Sequence, residues 1–197
     1  MIRRTAPSWP RIAVLTAAVV AVGALACGNF TAVPTSLPTL TDSGTVYALN
    51  GAPPGAPTAL HIFSGQLVPA DANFLFDVAF DIDSNGKIVY LPQRALASGL
   101  TPSHSVGLRT VPDSFEAVTT APKTGYRADT ALVTSRNVVV VAQSSDANTC
   151  GVSLTGSSVY AKIVVTSIDR VARQLKVRFT VDPNCGFVSF APGIPKD

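Results

Sequence analysis

Apolar and polar residues alternate with a period of two along two long stretches of this chain. Phe74, Phe76, Val78, Phe80 and Ile82 interleave with Leu75, Asp77, Ala79, Asp81 and Asp83. Successive side chains of a strand point to opposite faces, so this pattern predicts a strand with one strongly apolar face. Asn85-Gly86 follows, the pair favoured where a two-residue type I′ turn needs two positive φ angles. The return strand is Lys87 to Leu91, ended by Pro92. This register sets Ile82 against Val89 and Phe80 against Leu91. Asp77, Asp81 and Asp83 then share the polar, solvent-facing side.

The second alternating stretch spans Ser158 to Asp182 around the turn Asp169-Arg170-Val171-Ala172-Arg173. Leu175, Val177, Phe179 and Val181 alternate with Gln174, Lys176, Arg178 and Thr180. A turn near Val171 sets Ile163 against Phe179 and Val165 against Val177. Lys162, Thr166, Lys176 and Arg178 fall on the outer face, read as a solvated sheet surface. Weaker patterns predict strands at Thr45–Leu49, Thr58–Phe63, Ser105–Val111, Ser114–Thr119, Ala131–Thr134 and Val138–Gln143. Val138 to Val141 is continuously apolar, which implies cover on both faces. No window carries a convincing helical period, and Pro92 to Ala97 makes one turn at most. About nine or ten short strands punctuated by Pro and Gly predict an all-β fold. The expected architecture is a single antiparallel β-sandwich, immunoglobulin-like or jelly-roll-like.

The N-terminal part has a different pattern. Met1 to Arg11 holds Arg3, Arg4 and Arg11 and no acid; Ile12 to Leu25 is apolar or small except for Thr16. A basic start, a short apolar run and a small-residue exit are the zones of a secretory signal peptide. The apolar run falls short of the roughly 20 residues that cross a bilayer. This zone also explains the charge. Of 15 Lys+Arg, three lie in it, which leaves 12 against 12 Asp+Glu in the rest of the chain. The mature protein is net neutral and lacks the basic patch of a nucleic-acid-binding domain. Nucleic acid is therefore not an expected partner.

The exit Ala24-Leu25-Ala26-Cys27 resembles the lipobox of bacterial lipoproteins, with Ala24 standing where Leu is favoured. The resemblance implies a diacylglyceryl group on the Cys27 sulfur and cleavage before Cys27. It implies an envelope location, anchored at the periplasmic face of the outer membrane or at the cell surface. Ala24-Leu25-Ala26 also reads as an ordinary A-x-A cleavage site, which would give a secreted protein. The domain plan is then signal peptide 1–26, lipidated cysteine and Thr/Ser/Pro-rich tether 27–44, and β-sandwich domain 45–197. With Cys27 committed to lipid, Cys150 and Cys185 remain as a pair in an oxidising compartment, where disulfides persist. The second hairpin's register brings Cys185 near Ser157, one short loop from Cys150. The layout from Val138 to Phe187 also resembles the C-terminal part of uncharacterised exported bacterial β-domains, which carry no assigned activity.

Candidate chemistry is sparse. Asp81, Asp83 and Asn85, with Gly86 at the sixth position, match the first half of a calcium loop. The twelfth position is Pro92 instead of a bidentate Glu, and the hairpin turn accounts for the same Asn-Gly. His61 and His104 are isolated in sequence, and no G-x-S-x-G elbow exists. Glu116 is the sole glutamate. No catalytic residue is assigned and no cofactor is expected. Tyr47, Tyr90, Tyr126 and Tyr160 are the aromatic hydroxyls of the mature chain, and Trp9, the sole Trp, lies in the signal. Strand packing accounts for the tyrosines more simply than a sugar platform. The function expected is a non-catalytic binding or structural module with an envelope protein or glycan partner. The alternatives are an envelope hydrolase with a loop-built site and a carbohydrate- or calcium-binding module.

Overall fold

The computed structural model describes residues 37–73, 75–96, 104–145, 150 and 158–195. The signal peptide 1–26, Cys27, residues 28–36 of the tether and Phe74 lie outside the described residues. In chain order the elements are β1 (Leu40–Tyr47), β2 (Ala59–His61), β3 (Gln66–Val68), β4 (Val78–Ile82), β5 (Ile88–Pro92), α1 (Gln93–Leu96), β6 (Ser105–Val111), β7 (Arg127–Ala128), β8 (Leu132–Thr134), β9 (Val139–Ser145), β10 (Ser158–Asp169) and β11 (Gln174–Asp182). They form two antiparallel sheets, ordered β1-β11-β10-β9-β6-β7 and β3-β2-β4-β5-β8. The fold is an all-β sandwich. Its meander β9-β10-β11 within one sheet differs from the A-B-E-D and C-F-G order of an immunoglobulin constant domain.

The main core lies between the sheets. Val140, Ala142, Val159, Ala161, Ile163, Val165, Val177 and Phe179 come from the six-stranded sheet. Leu60, Val78, Phe80, Ile82, Ile88 and Tyr90 come from the other. The second hairpin pairs as its alternation dictates, with Ile163 opposite Phe179 and Val165 opposite Val177. A bulge at Thr166 then restores Asp169 to Gln174. At the turn, the Asp169 carboxylate accepts the Val171 and Ala172 amides. Val139 and Val141 face a second apolar cluster on the outer side of the sheet, with Phe115, Val118, Tyr160 and Phe190. The continuous Val run is thus covered on both faces.

The first hairpin is shifted by one residue from the expected register. Ile82 pairs with Ile88 and Phe80 with Tyr90. The turn chemistry explains the shift. The Asp83 carboxylate accepts the amides of Asn85 (2.9 Å) and Lys87 (2.8 Å). The Gly86 amide donates to the Asp83 carbonyl. Gly86 alone takes a positive φ, 73°, while Asn85 does not. A type I turn followed by a left-handed glycine makes a three-residue loop with a bulge, not a two-residue type I′ loop.

Two other expectations are corrected, and two strands are added. β1 begins at Leu40, inside the segment 27–44 read as tether. Its outward residues are polar and mostly exposed, so alternation is weak there, but an unbroken eight-residue ladder to β11 holds it. Ser114–Thr119 is a loop, in which the Ser114 carbonyl accepts the Ala117 and Val118 amides as a single helical turn. The short edge strands β3 and β7 carry too few residues to show a period.

Burial between the sheets pushes the Tyr90 hydroxyl well above the ordinary tyrosine range; burial, with Tyr160 adjacent, does the same to Tyr126. The folded chain therefore keeps phenolic protons that the unfolded chain loses. The associated stability is complete below pH of about 10 and declines as pH rises beyond it. Phenolate absorbance followed beside circular dichroism tests this. Tyr90 and Tyr126 are expected to ionise only as strand structure is lost; titration of these two near the ordinary tyrosine value in an intact fold would contradict it.

Candidate functional site

The strongest polar cluster lies between the sheets, at the end where β6 starts and β9 finishes. The backbone bends at Asp77, which shifts the side-chain phase of the strand. Phe76 joins Ala59 and Ala79 on the outer side of the five-stranded sheet, while the Asp77 carboxylate turns inward. Asp77 was expected on a solvent face, and it is buried. Its Oδ2 accepts the Ile62 amide at 2.6 Å. Its Oδ1 meets His104 Nε2 at 2.8 Å and also accepts the Ser144 hydroxyl. His104 precedes β6 and is buried, so it is not an isolated histidine. Ser144 continues the inward phase of Val140 and Ala142 on β9. His61 stands beside the cluster with its Nδ1 2.8 Å from the Ser64 hydroxyl.

The cavity at this cluster measures about 10 Å³, the lower limit for one water. Cys150 lines it, and Cys150 is bonded to Cys185 with Cα atoms 5.5 Å apart. Asp, His and Ser are the residue types of a hydrolytic triad, but the order of contacts differs. In a triad, Ser bonds the imidazole and the imidazole bonds the carboxylate. Here Asp77 is the hub and both Ser144 and His104 bond the same carboxylate oxygen. Ser144 is thus held by an acceptor, inside a space too small for a substrate. The arrangement satisfies buried polar groups and fixes the end of the core.

A second cluster covers the outer face of the six-stranded sheet. Lys162, expected at the solvent, is buried. Its ammonium donates to the carbonyls of Phe115 (2.7 Å) and Val118 (2.9 Å) and sits 4.4 Å from the Phe115 ring centroid. Desolvation draws Lys162 below the usual lysine range, with the Glu116 carboxylate acting in the opposite sense. The Arg178 guanidinium also lies 4.4 Å from the Phe115 ring centroid and donates to Glu116, which holds that carboxyl below its usual range. The lysine therefore latches the 112–126 loop to the sheet. It is screened from solvent by that loop and is not placed as a nucleophile.

The calcium half-loop is used in other ways. Asp81 Oδ1 accepts from Arg173 Nη2 at 2.8 Å and from the Ile82 amide at 2.8 Å. Asp83 caps the turn amides, as described above. Asp81, Asp83 and Asn85 are thus not drawn together around a common point. Among the described residues, no group of three or more His, Cys, Asp or Glu side chains is placed to hold a metal ion. No described helix is long and apolar enough to cross a membrane.

The sheet edges are blunted. Along β1, the Thr39 and Tyr47 amides donate to the carbonyls of Gly193 and Pro57, and the Ser43 amide donates to Asp42. β3, β7 and β8 are two or three residues long. Short or self-capped edges disfavour pairing with another chain's strand. Comparison of the chain with protein-family models, curated proteins and solved structures gives no match.

Proposed function

We propose that this chain is an exported bacterial envelope protein, anchored through lipid on Cys27, whose sandwich acts as a non-catalytic binding or structural module. The lipobox-like exit, the basic segment before it and the neutral charge of the rest support the anchoring. The disulfide accords with an oxidising compartment. The observation that most favours a non-catalytic role is the contact order at Asp77. Among the described residues, the Asp77, His104 and Ser144 constellation is closed upon itself around a cavity of about 10 Å³. The partner is an envelope protein or a glycan, met through surface side chains and not by strand addition. Cell fractionation of the parent and of Cys27→Ser tests the anchor. The parent is expected in the membrane fraction and the variant in the soluble fraction; unchanged membrane association of Cys27→Ser would refute the anchoring.

A further inference from the structure

The structure shortens the tether. Leu37 is already pinned to the body, where its amide donates to the Asn184 side chain and its carbonyl accepts from the same group. In sequence, Cys27 lies ten steps of chain before Leu37, in place of a segment ending at 44. At 3.3–3.6 Å per residue their reach is at most about 35 Å. The chain enters beside Cys185, at the Asp77 end of the sandwich. The opposite end carries the β10–β11 tip, one full length of β10 away. The eleven steps of this twelve-residue strand span about 36 Å, and the turn extends beyond it.

Among the described residues, the entry end exposes several large apolar side chains beside polar ones such as Ser64. Leu37, Leu40, Phe63, Leu75 and Ile194 are among the exposed large hydrophobic side chains, with Leu75 at 71 % and Ile194 at 54 %. Their placement is fixed by named contacts. Leu40 lies over Gly65, in the β2–β3 turn that carries Phe63. Thr39 bridges Gly193, next to Ile194. Leu75 precedes Asp77, whose amide donates to the Leu60 carbonyl. The other two exposed large hydrophobics among the described residues, Val133 and Val171, stand elsewhere, and Val171 at the far tip is 98 % exposed.

We infer that the body is seated on the lipid surface by this entry end, with Leu37, Leu40, Phe63 and Ile194 entering the interface and the Val171 hairpin pointing away. The inference rests on the Cys27 anchor proposed above. A lipid surface is the occupant because a chain anchored at Cys27 cannot carry this end more than about 35 Å from the bilayer, and this end exposes the large apolar side chains Leu37, Leu40, Phe63 and Ile194. Apolar side chains at such a surface enter its outer 5–10 Å or so. Seated this way, the protein leaves its far hairpins for contact with partners.

The mature chain has no tryptophan, so single reporters are unambiguous. Lipidated Phe63→Trp and Val171→Trp proteins beginning at Cys27 are reconstituted into phosphatidylcholine vesicles, either plain or brominated in the upper acyl chain. Flotation is read first. With both proteins floating, Phe63→Trp is expected to lose emission in brominated vesicles and Val171→Trp to keep it. Flotation without quenching of Phe63→Trp, or with quenching of Val171→Trp, overturns the seating and leaves the anchor intact. Failure to float overturns the anchor itself. Leu40→Trp, carried in parallel, guards against a folding defect at Phe63 and has the same expected result.

Discussion

Asp77→Ala is expected to destabilise the folded domain by about 3–5 kcal/mol, the cost of leaving several buried hydrogen-bond donors without their acceptor. Three donors converge on this carboxylate: the Ile62 amide, His104 and Ser144. All three are buried, so removing the acceptor strands each of them away from water, at about 1–3 kcal/mol per unsatisfied group. Native domains hold only about 5–15 kcal/mol in total, so the variant stands near the limit of folding. Asp77→Asn keeps the shape and one acceptor oxygen, and a smaller loss is expected. Urea unfolding of the parent and both variants separates them. A loss under about 1 kcal/mol for Asp77→Ala would show that the carboxylate does not organise the core end.

Removing the disulfide is expected to cost about 4 kcal/mol. The chain-entropy estimate for a closed loop with a sequence separation of 35 gives that magnitude. For a domain of this size it corresponds to a fall in Tm of roughly 10 °C. The Cys150→Ala, Cys185→Ala double variant and chemical reduction of the parent should agree, because both open the same loop. Cys150 also borders the Asp77 cavity, so its loss loosens the cluster. Combining the double variant with Asp77→Asn should therefore give a total that departs from the sum of the separate effects. Equal Tm values for oxidised and reduced protein would contradict the role assigned to the bond.

The second hairpin was legible because nine residues of β11 alternate strictly and a four-residue turn fixes the register. The first hairpin was legible as a hairpin but not in register. Asn-Gly suits two kinds of turn, and the Asp83 side chain selects the longer one. A one-residue slip reverses every facing side chain. The inward set on β5 is accordingly Ile88 and Tyr90, not Val89 and Leu91. The candidate site was hidden for a related reason. Period-two reasoning placed Asp77 outside because it assumed a straight strand, and the bend at Asp77 is a tertiary feature. Ser144 carried a usable signal, since it continues the inward phase of Val140 and Ala142. Lys162 carried another, as the lone charge within an apolar run from Val159 to Val165. The 112–126 loop that buries it has no periodicity to announce itself. His104 met Asp77 only through the pairing of distant strands, which no local pattern encodes.

The mature N-terminus is the point on which the account turns, because anchoring, seating and compartment all depend on Cys27. The most direct measurement is the intact mass of protein extracted from membranes without reduction, with sequencing of its N-terminal peptide. The chain is expected to begin at Cys27, to carry diacylglyceryl mass there, and to hold Cys150 and Cys185 closed to alkylation. A chain that begins at Cys27 with no added lipid, or that retains residues 1–26, would contradict it.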